Sequence, residues 1–327
     1  MKFCYNCFQE LSDTDRVCPR CGFSADFSNA ARHPYALPCG SILAGKYLVG
    51  RVIDEDGFSF RYSTLDYFTG KLLDIRECFM QGLTKRHFVT DENRSNAPEV
   101  LLARTEAFEI FSDVKEQFLS EAKILAELPR DPHIPHILSC FNENSTVYYV
   151  TEPVDGTPLP EYMKKNGGSL PVSDAEKILF QLMDALEIMH KAGIICRGIA
   201  SQSTLIKRNG DVVLTDFHAA GKYPEKNASG WNTIVSAGFS PLEQYSIFGK
   251  QGPFTDLYSL AAVFYHAVTG ISPPESVSRT SKDKLDFSRL SAAGLPAGKV
   301  AVIQKALSLP SDDRYQTISE FRKAYYS

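Results

Sequence analysis

Two stretches of this sequence carry side chains spaced for chemistry. The first is Cys4-x2-Cys7 followed, ten residues on, by Cys18-x2-Cys21. Each pair can set two thiolates on one tight knuckle, and two knuckles complete a tetrahedral S4 site of the kind zinc occupies. Gly22, directly after the second pair, lets the backbone turn and bring its N–H groups toward the sulfurs. A unit of about 24 residues cannot bury a sufficient core, so a metal, one zinc per chain, would supply its folding energy. The competing readings are a pair of disulfides or a redox CxxC. Those belong with a secretory signal or a surrounding βαβ pattern, and neither is visible.

The second stretch is IICRGIASQSTLIKRNGDVVLTDFHAA, residues 194–220. It has the rhythm of a catalytic loop: a short strand, a polar loop, a turn at Asn209-Gly210, a second strand, then the acid Asp216. Its first half holds Arg197 and Gly198 but no carboxylate before Asp211.

The elements that must position these residues follow from pattern. Residues 1–24 form the cysteine unit, and 25–45, rich in Pro, Gly and Ala, read as a linker. From Tyr47 short apolar runs separated by turn residues (YLVGRVI, FSFRYSTLD, KLLDIRECF) read as strands, with a hairpin connection at Asp66–Gly70. Residues 81–115 are polar and give no clear pattern. Helical spacing begins near Lys115, with Phe118, Ala122 and Leu125 on one face, before two further strand-like runs, HILSCF and TVYYVTEP. Beyond Gly156 the chain reads as mainly helical. Ser173–Glu176 and Thr317–Glu320 have the form of capping boxes, and DLYSLAAVFYHAVTG is apolar around most of its circumference and stopped by Gly270. A strand-rich first part and a helix-rich second part predict an α+β fold of two lobes.

Composition narrows the partners. The chain has 327 residues, 43% hydrophobic and 23% charged, with a net charge of −4, so no basic field points to nucleic acid. Within the cysteine unit Lys2, Arg16 and Arg20 are offset by Glu10, Asp13 and Asp15, which favours a structural or protein-docking module over a nucleic-acid reader. No apolar run approaches the roughly 18–20 residues of a membrane span. MKFCYNCFQE lacks the apolar core of a secretory signal, so a cytoplasmic location without a membrane partner is expected. Cys39, Cys78, Cys140 and Cys196 are scattered singly, as in a reducing compartment.

From about residue 46 to 327 the ordered landmarks resemble the bacterial eukaryotic-like (Hanks-type) Ser/Thr protein kinases, and among them members with an N-terminal zinc ribbon. FLSEAKIL resembles the regulatory helix, YVTEPVDG the hinge, LTDFHAA the DFG segment, GFSPLEQY the APE segment, and DDRYQT supplies the late arginine. The resemblance implies a bilobal fold with a β-rich lobe over about 46–152 and a helical lobe over about 153–327. It places Thr151 as gatekeeper and Glu121 as the partner of the ATP-positioning residue. It also implies an ion pair between Glu243 and Arg314, and has Asp256 hold the backbone of the catalytic loop.

The same resemblance exposes departures at the ATP-handling positions. DEDGFS puts Asp54, Asp56 and Ser59 where the phosphate-covering loop would carry glycines, and with Glu55 it turns three acids toward the place of a triphosphate. At ~4 Å and an effective dielectric near 20, each like-charge contact would cost about 4 kcal/mol before screening. Arg76 stands for the lysine of V-A-I-K, Gly198 for the general base, and Ser203 for the asparagine that holds a second Mg2+. Asp216 remains as one Mg2+ ligand, while His218 replaces the DFG glycine. Losing a positioned base typically costs about 10²- to 10⁴-fold in rate. The expectation is a kinase-like domain with little or no phosphoryl transfer, few residues for ATP and Mg2+, and a protein partner such as a kinase, a phosphatase or a phosphopeptide-binding protein. Two alternatives stay open: a weak kinase or nucleotide transferase with relocated parts, and a zinc-dependent nucleic-acid adaptor. Thr233 and Ser236 fall on the stretch that would be the activation segment, where Arg197 could meet a phosphate.

Overall fold

The computed structural model describes residues 2–91, 94–103, 107–223 and 235–327. The chain divides into two compact units, Met1–Ala122 with His136–Val154, and Lys123–Pro135 with Asp155–Ser327.

The first unit is built on a six-stranded antiparallel sheet. Its strands are β3 (Ile42–Leu43), β4 (Tyr47–Glu55), β5 (Ser59–Asp66), β6 (Leu72–Cys78), β9 (Ile137–Glu143) and β10 (Thr146–Thr151), in the order β3-β4-β5-β6-β10-β9. The cysteine unit contributes its own pair, β1 (Lys2–Phe3) and β2 (Glu10–Leu11). All six residues of β10 are buried, because this central strand is covered on both faces. Side chains alternate with period two, so Arg76 and Tyr149, which are cross-strand partners, share one face, while Glu77, Tyr62 and Tyr148 share the other. Helix α1 (Ala107–Glu127) covers the Arg76 face and buries Phe111, Val114, Phe118, Ala122 and Leu125 along one stripe. It begins two turns before the Lys115 of the sequence reading. The unreadable stretch 81–115 supplies those turns together with a hairpin, β7 (Thr84–Asp91) and β8 (Arg94–Leu102), paired apart from the main sheet.

Residues 25–45 carry turn-rich composition, yet they are fixed to the sheet. Asn29 is fully buried; its amide donates to the carbonyls of Leu37 (2.8 Å) and Gly50 (3.1 Å), and its oxygen accepts from the Val52 N–H (2.9 Å). Ala36 and Leu37 join the core beside Tyr62, whose hydroxyl accepts from the Leu37 N–H at 3.0 Å.

The second unit is mainly helical. It holds two small sheets, β11 (Thr157–Pro158) with β13 (Thr204–Ile206) and β14 (Val212–Leu214), and β12 (Ile194–Ile195) with β15 (Gly221–Lys222). Around them pack α2 (Leu159–Lys165), α3 (Val172–Lys191), α4 (Pro253–Thr269), the short α5 (Ser276–Arg279) and α6 (Ser288–Ala292), α7 (Ala297–Ala306) and α8 (Ile318–Tyr326). Helix α4 is buried on nearly every side, as its apolar circumference requires, and ends where Gly270 adopts φ 72° and returns its N–H to His266. Helix α3 departs from the capping box read at Ser173. Its N-cap is Pro171, whose carbonyl accepts from Asp174 and Ala175, so Ser173 already lies inside the first turn. At α8 the Thr317 hydroxyl does accept from the Glu320 N–H (3.2 Å), while the Glu320 carboxylate takes the Gln316 N–H instead. Among the described residues no helix is long and apolar enough to cross a membrane.

Candidate functional site

The four N-terminal cysteines converge. Their sulfurs lie within 4.8 Å of one another, with Cys4–Cys21 at 3.6 Å and Cys7–Cys18 at 3.7 Å. A disulfide needs about 2.05 Å, whereas a tetrahedron with metal–sulfur bonds of about 2.3 Å has edges near 3.8 Å. The four thiols therefore fit a single metal ion. Each knuckle closes the same way: Phe8 (φ 55°) and Gly22 (φ 71°) adopt the left-handed conformation and return their N–H groups to Cys4 and Cys18, at 2.7 and 2.9 Å. Leu11 and Ala25 pack with Cys4 and Cys18 in a small core, flanked by Phe23.

This cysteine unit is seated on the sheet through an irregularity in β4. The β4–β5 register shifts between Val49 and Val52, freeing Gly50 and Arg51 from the ladder. The Arg51 N–H donates instead to the Tyr5 carbonyl at 2.8 Å, and the Ser63 hydroxyl donates to the same oxygen at 3.1 Å. The Arg51 side chain donates to Asn6 Oδ1 at 2.6 Å, and Asn6 in turn donates toward Cys21 Sγ at 3.5 Å. A Cβ on Gly50 would meet Ser63 Oγ and the Tyr5 carbonyl at 2.5 Å and the Phe8 ring at 2.7 Å, so only glycine fits.

At the degenerate loop the sequence led us to expect three acids crowding one site, and the structure corrects this. Alternation sends Glu55 to the opposite face, where it meets His33 at 2.9 Å; Asp54, largely exposed, lies 3.9 Å from Arg61. Asp56 alone turns to Arg76, accepting from Nη2 at 2.7 Å. The three acids therefore do not converge: Asp56 and Asp54 each have an arginine within 4.0 Å, and Glu55 is turned to His33. Arg76 Nε donates to Ser59 Oγ at 2.8 Å, and Ser59 Oγ donates to the same Asp56 oxygen at 3.0 Å. The far end of the guanidinium contacts the Tyr149 hydroxyl (3.4 Å) and lies 3.8 Å from Glu121, to which Tyr149 donates at 3.1 Å. Burial opposes the charge of Arg76, but Tyr149, Asp56 and Glu121 more than offset it and hold its pKa above the usual value. Burial, reinforced by Glu121, pushes the Tyr149 phenol up, so it stays a donor.

Two further pairs escaped sequence reasoning. Arg61 and Asp74, two positions past Ser59 and two before Arg76, form an ion pair at 3.1 Å, and Asp74 also accepts from the Val154 N–H at 3.3 Å. The family's patterns G-x-G-x-x-G-x-V and V-A-I-K carry valine and alanine there, a signal that residue-by-residue matching could have caught. Thr151 is buried directly across from Asp74. On the opposite face Glu77 accepts from Tyr148 (2.6 Å), Tyr62 (2.8 Å) and Arg86 (2.6 Å), and Arg86 Nε donates to the Tyr35 carbonyl at 2.7 Å.

In the second unit Asp256 holds the loop at 196–203. Its two oxygens accept from the N–H groups of Cys196 and Arg197, each at 2.8 Å, and His190 Nε2 lies 2.8 Å from one of them. Arg197 takes φ 61°, a conformation costing on the order of 1–3 kcal/mol, and is fixed there by Asp256, by Gln244 donating to its carbonyl at 3.0 Å, and by its own guanidinium donating to the Ala219 carbonyl at 3.1 Å. Gly198 has no space for a side chain. A Cβ would lie 3.1 Å from the Asp216 carbonyl carbon and 3.2 Å from its Cγ, and closer still to its carbonyl oxygen. Ser203 is a staple: its hydroxyl reaches the Gly198 carbonyl at 2.7 Å and accepts from the Ala200 N–H at 3.0 Å. One oxygen of the half-buried Asp216 accepts from the His218 N–H at 3.2 Å. Among the described residues, only the cysteine quartet gathers three or more His, Cys, Asp or Glu side chains close enough to share an ion. Of the residues at 198, 203 and 216, only Asp216 carries a carboxylate, and the Ser203 hydroxyl is engaged by main-chain groups. Ser236 donates its N–H to Ser240 Oγ at 2.9 Å, and Thr233 lies outside the described residues.

Elsewhere in this unit Glu243 and Arg314 form a bidentate pair at 2.7 and 3.1 Å, their side chains 9% and 0% exposed. Arg314 also donates to the carbonyls of Ser308 and Leu309, both at 2.7 Å, and lies over the Tyr258 ring.

Comparison with known proteins agrees with this layout. The family model for the protein kinase domain matches residues 97–314. A probable serine/threonine-protein kinase of Clostridium perfringens is 26% identical over 289 residues, covering 86% of this chain and 38% of the relative. Serine/threonine-protein kinase PknA of Nostoc sp. is 30% identical over 291 residues, covering 86% and 47%. The chain thus spans less than half the length of either relative. Among solved structures, the apo form of PpkA-294 matches with a TM-score of 0.74 at 24% identity, covering 89% of this chain and 99% of that one. The α+β architecture is that of a protein kinase fold.

Proposed function

The chain belongs to the protein kinase family, and we propose that within it this domain is a pseudokinase, kept for its form and with little or no phosphoryl transfer. The observation that carries this is Gly198: the Asp216 backbone occupies the space a general base would need, so the loop is closed and not merely short of one carboxylate. Ser203 supports the same reading, since its hydroxyl is committed to main-chain groups. In place of turnover the domain offers a signalling surface, as a scaffold or allosteric partner for another protein such as a kinase, a phosphatase or a phosphopeptide-binding protein. The four cysteines hold one structural zinc, which fixes the N-terminal ribbon.

Nucleotide-dependent thermal stabilisation with and without Mg2+, run beside a phosphoryl-transfer assay, tests the catalytic part. A ligand at 100 times its Kd stabilises by about 2.7 kcal/mol, so binding would be plain. The expected result is no magnesium-dependent stabilisation and no transfer. Turnover that Asp216→Ala abolishes would overturn the proposal in favour of a weakly active kinase, the activity for which the two relatives are named. Metal analysis should return one zinc per chain, and a disulfide-bonded, metal-free protein would refute the ribbon.

A further inference from the structure

Of the four thiols in the ribbon, Cys21 is the exposed one; Cys4 and Cys18 are buried and Cys7 is half-buried. Four thiolates around a divalent cation carry a net charge of about −2. A hydrogen bond to the exposed sulfur spreads that charge at the corner where water or a chelator can enter. The side-chain amide of Asn6 donates such a bond to Cys21 Sγ at 3.5 Å. An amide can present either its oxygen or its nitrogen, and the choice is made from outside the ribbon. Arg51 Nε donates to Asn6 Oδ1 at 2.6 Å, which leaves the NH2 for the sulfur. Arg51 is itself steadied by its own strand, with Nη1 donating to the Val52 carbonyl at 3.2 Å, and its main-chain N–H reaches the Tyr5 carbonyl at 2.8 Å. One residue of β4 thus holds two consecutive residues of the first knuckle, Tyr5 and Asn6, both lying between Cys4 and Cys7.

We propose that Arg51 is a positioning residue of the metal centre, acting through Asn6 on Cys21, so that the zinc site is completed by the sheet and not by the ribbon alone. The guanidinium orients the amide and adds a positive charge one side chain removed from the thiolates. Coupling of metal and sheet runs both ways. Whatever factor Arg51 adds to zinc affinity, bound zinc adds to the hold on Arg51 and on the irregularity between Val49 and Val52. Zinc occupancy is then felt in β4, the strand that leads into the turn before Ser59. The proposal rests on the zinc reading of the four cysteines and not on the pseudokinase reading.

Competition of the full chain with a coloured chelator measures zinc affinity, and the sulfur-to-metal charge-transfer band of the cobalt-substituted chain reports on the thiolates directly. Asn6→Ala and Arg51→Met should each weaken zinc binding by about 10- to 100-fold, the loss typical when a partner of a metal ligand is removed. The double variant should be no weaker than the worse single one, because both changes remove the same bond to Cys21. In both single variants the cobalt band should move to lower energy, since a sulfur that loses its donor gives up electron density more readily. Loosening of the ribbon alone would not move it. Ser63→Ala, which removes a different bond to the ribbon at Tyr5, should bind zinc as wild type does. Wild-type affinity in Asn6→Ala, losses that add in the double variant, or an equal loss in Ser63→Ala each overturn the proposal. If Arg51→Met fails to fold, Arg51→Lys takes its place, keeping the charge without the planar fork; a shifted band supports the proposal and an unmoved one overturns it. A wild type that binds neither zinc nor cobalt sinks the zinc reading and this proposal with it, whereas tight wild-type binding with unchanged variants sinks this proposal alone.

Discussion

Replacing Gly50 with alanine should loosen the cysteine ribbon from the sheet. The added methyl would sit 2.5 Å from both Ser63 Oγ and the Tyr5 carbonyl and 2.7 Å from the Phe8 ring. Tyr5 O is main chain and Phe8 is held in a left-handed turn, so neither yields cheaply. Overpacking of this kind costs about 1–3 kcal/mol. If the ribbon lifts away to relieve it, the bonds from Arg51 N–H and Ser63 Oγ to Tyr5 are lost, at roughly 1 kcal/mol each. Either route predicts a destabilisation of about 2 kcal/mol, together with faster zinc release to a coloured chelator. Gly57→Ala is the control: nothing lies within 4 Å of its Cβ position and its φ is not positive, so the change should stay within about 0.5 kcal/mol. The assay is urea denaturation of the two variants and wild type, with zinc release timed in parallel. A Gly50→Ala protein with wild-type stability and wild-type zinc release would refute the docking described for Tyr5, Asn6 and Arg51.

Three further outcomes are expected. Gly198→Asp, which puts back the residue type of an active loop, should gain no phosphoryl transfer and lose about 1–3 kcal/mol by denaturation, because the Asp216 backbone must shift. Arg314→Met leaves Glu243 charged and buried and should cost about 3–5 kcal/mol, whereas the double change with Glu243→Leu should recover much of that in the same experiment. Burial lowers the pKa of His266, which lies 2.7 Å from the Ser201 hydroxyl, so its contribution to stability is complete above the usual imidazole range (about 6.5) and is lost as pH falls through the lower folded value. Urea midpoints of wild type between pH 7.5 and 5 should therefore fall more steeply than those of His266→Gln.

What the sequence made legible were features whose cause is local or whose order is shared with a family. Two CxxC knuckles need only their own spacing, and the all-round apolar pattern of α4 leaves it no place but the interior. Glu243, Asp256 and Arg314 could be named because they punctuate a known order of segments. Contacts that depend on register stayed hidden. That Arg76 meets Asp56 while Glu55 meets His33 follows from which face each alternate residue takes, and a strand must be paired before that is known. The bulge at Gly50 is invisible in YLVGRVI, since its partner, the Tyr5 carbonyl, lies 45 residues earlier than Gly50 in the chain. Composition made residues 25–45 resemble a tether because prolines and alanines mark turns; Asn29, which secures the segment, binds main-chain groups far along the chain. The hairpin at β7–β8 went unread for the related reason that its strands pair with each other and not with the main sheet.

Asp256 grips two consecutive peptide N–H groups, and peptide groups are alike whatever residue carries them. The contour of the loop at 196–203 is thus largely specified from a distant helix. Residues along the loop can be exchanged while its relief persists, provided none is a proline at the two gripped positions and Gly198, which has no room for a side chain, is kept. The hold on the loop's course is encoded some 60 residues away from it, apart from most of the side chains the loop displays.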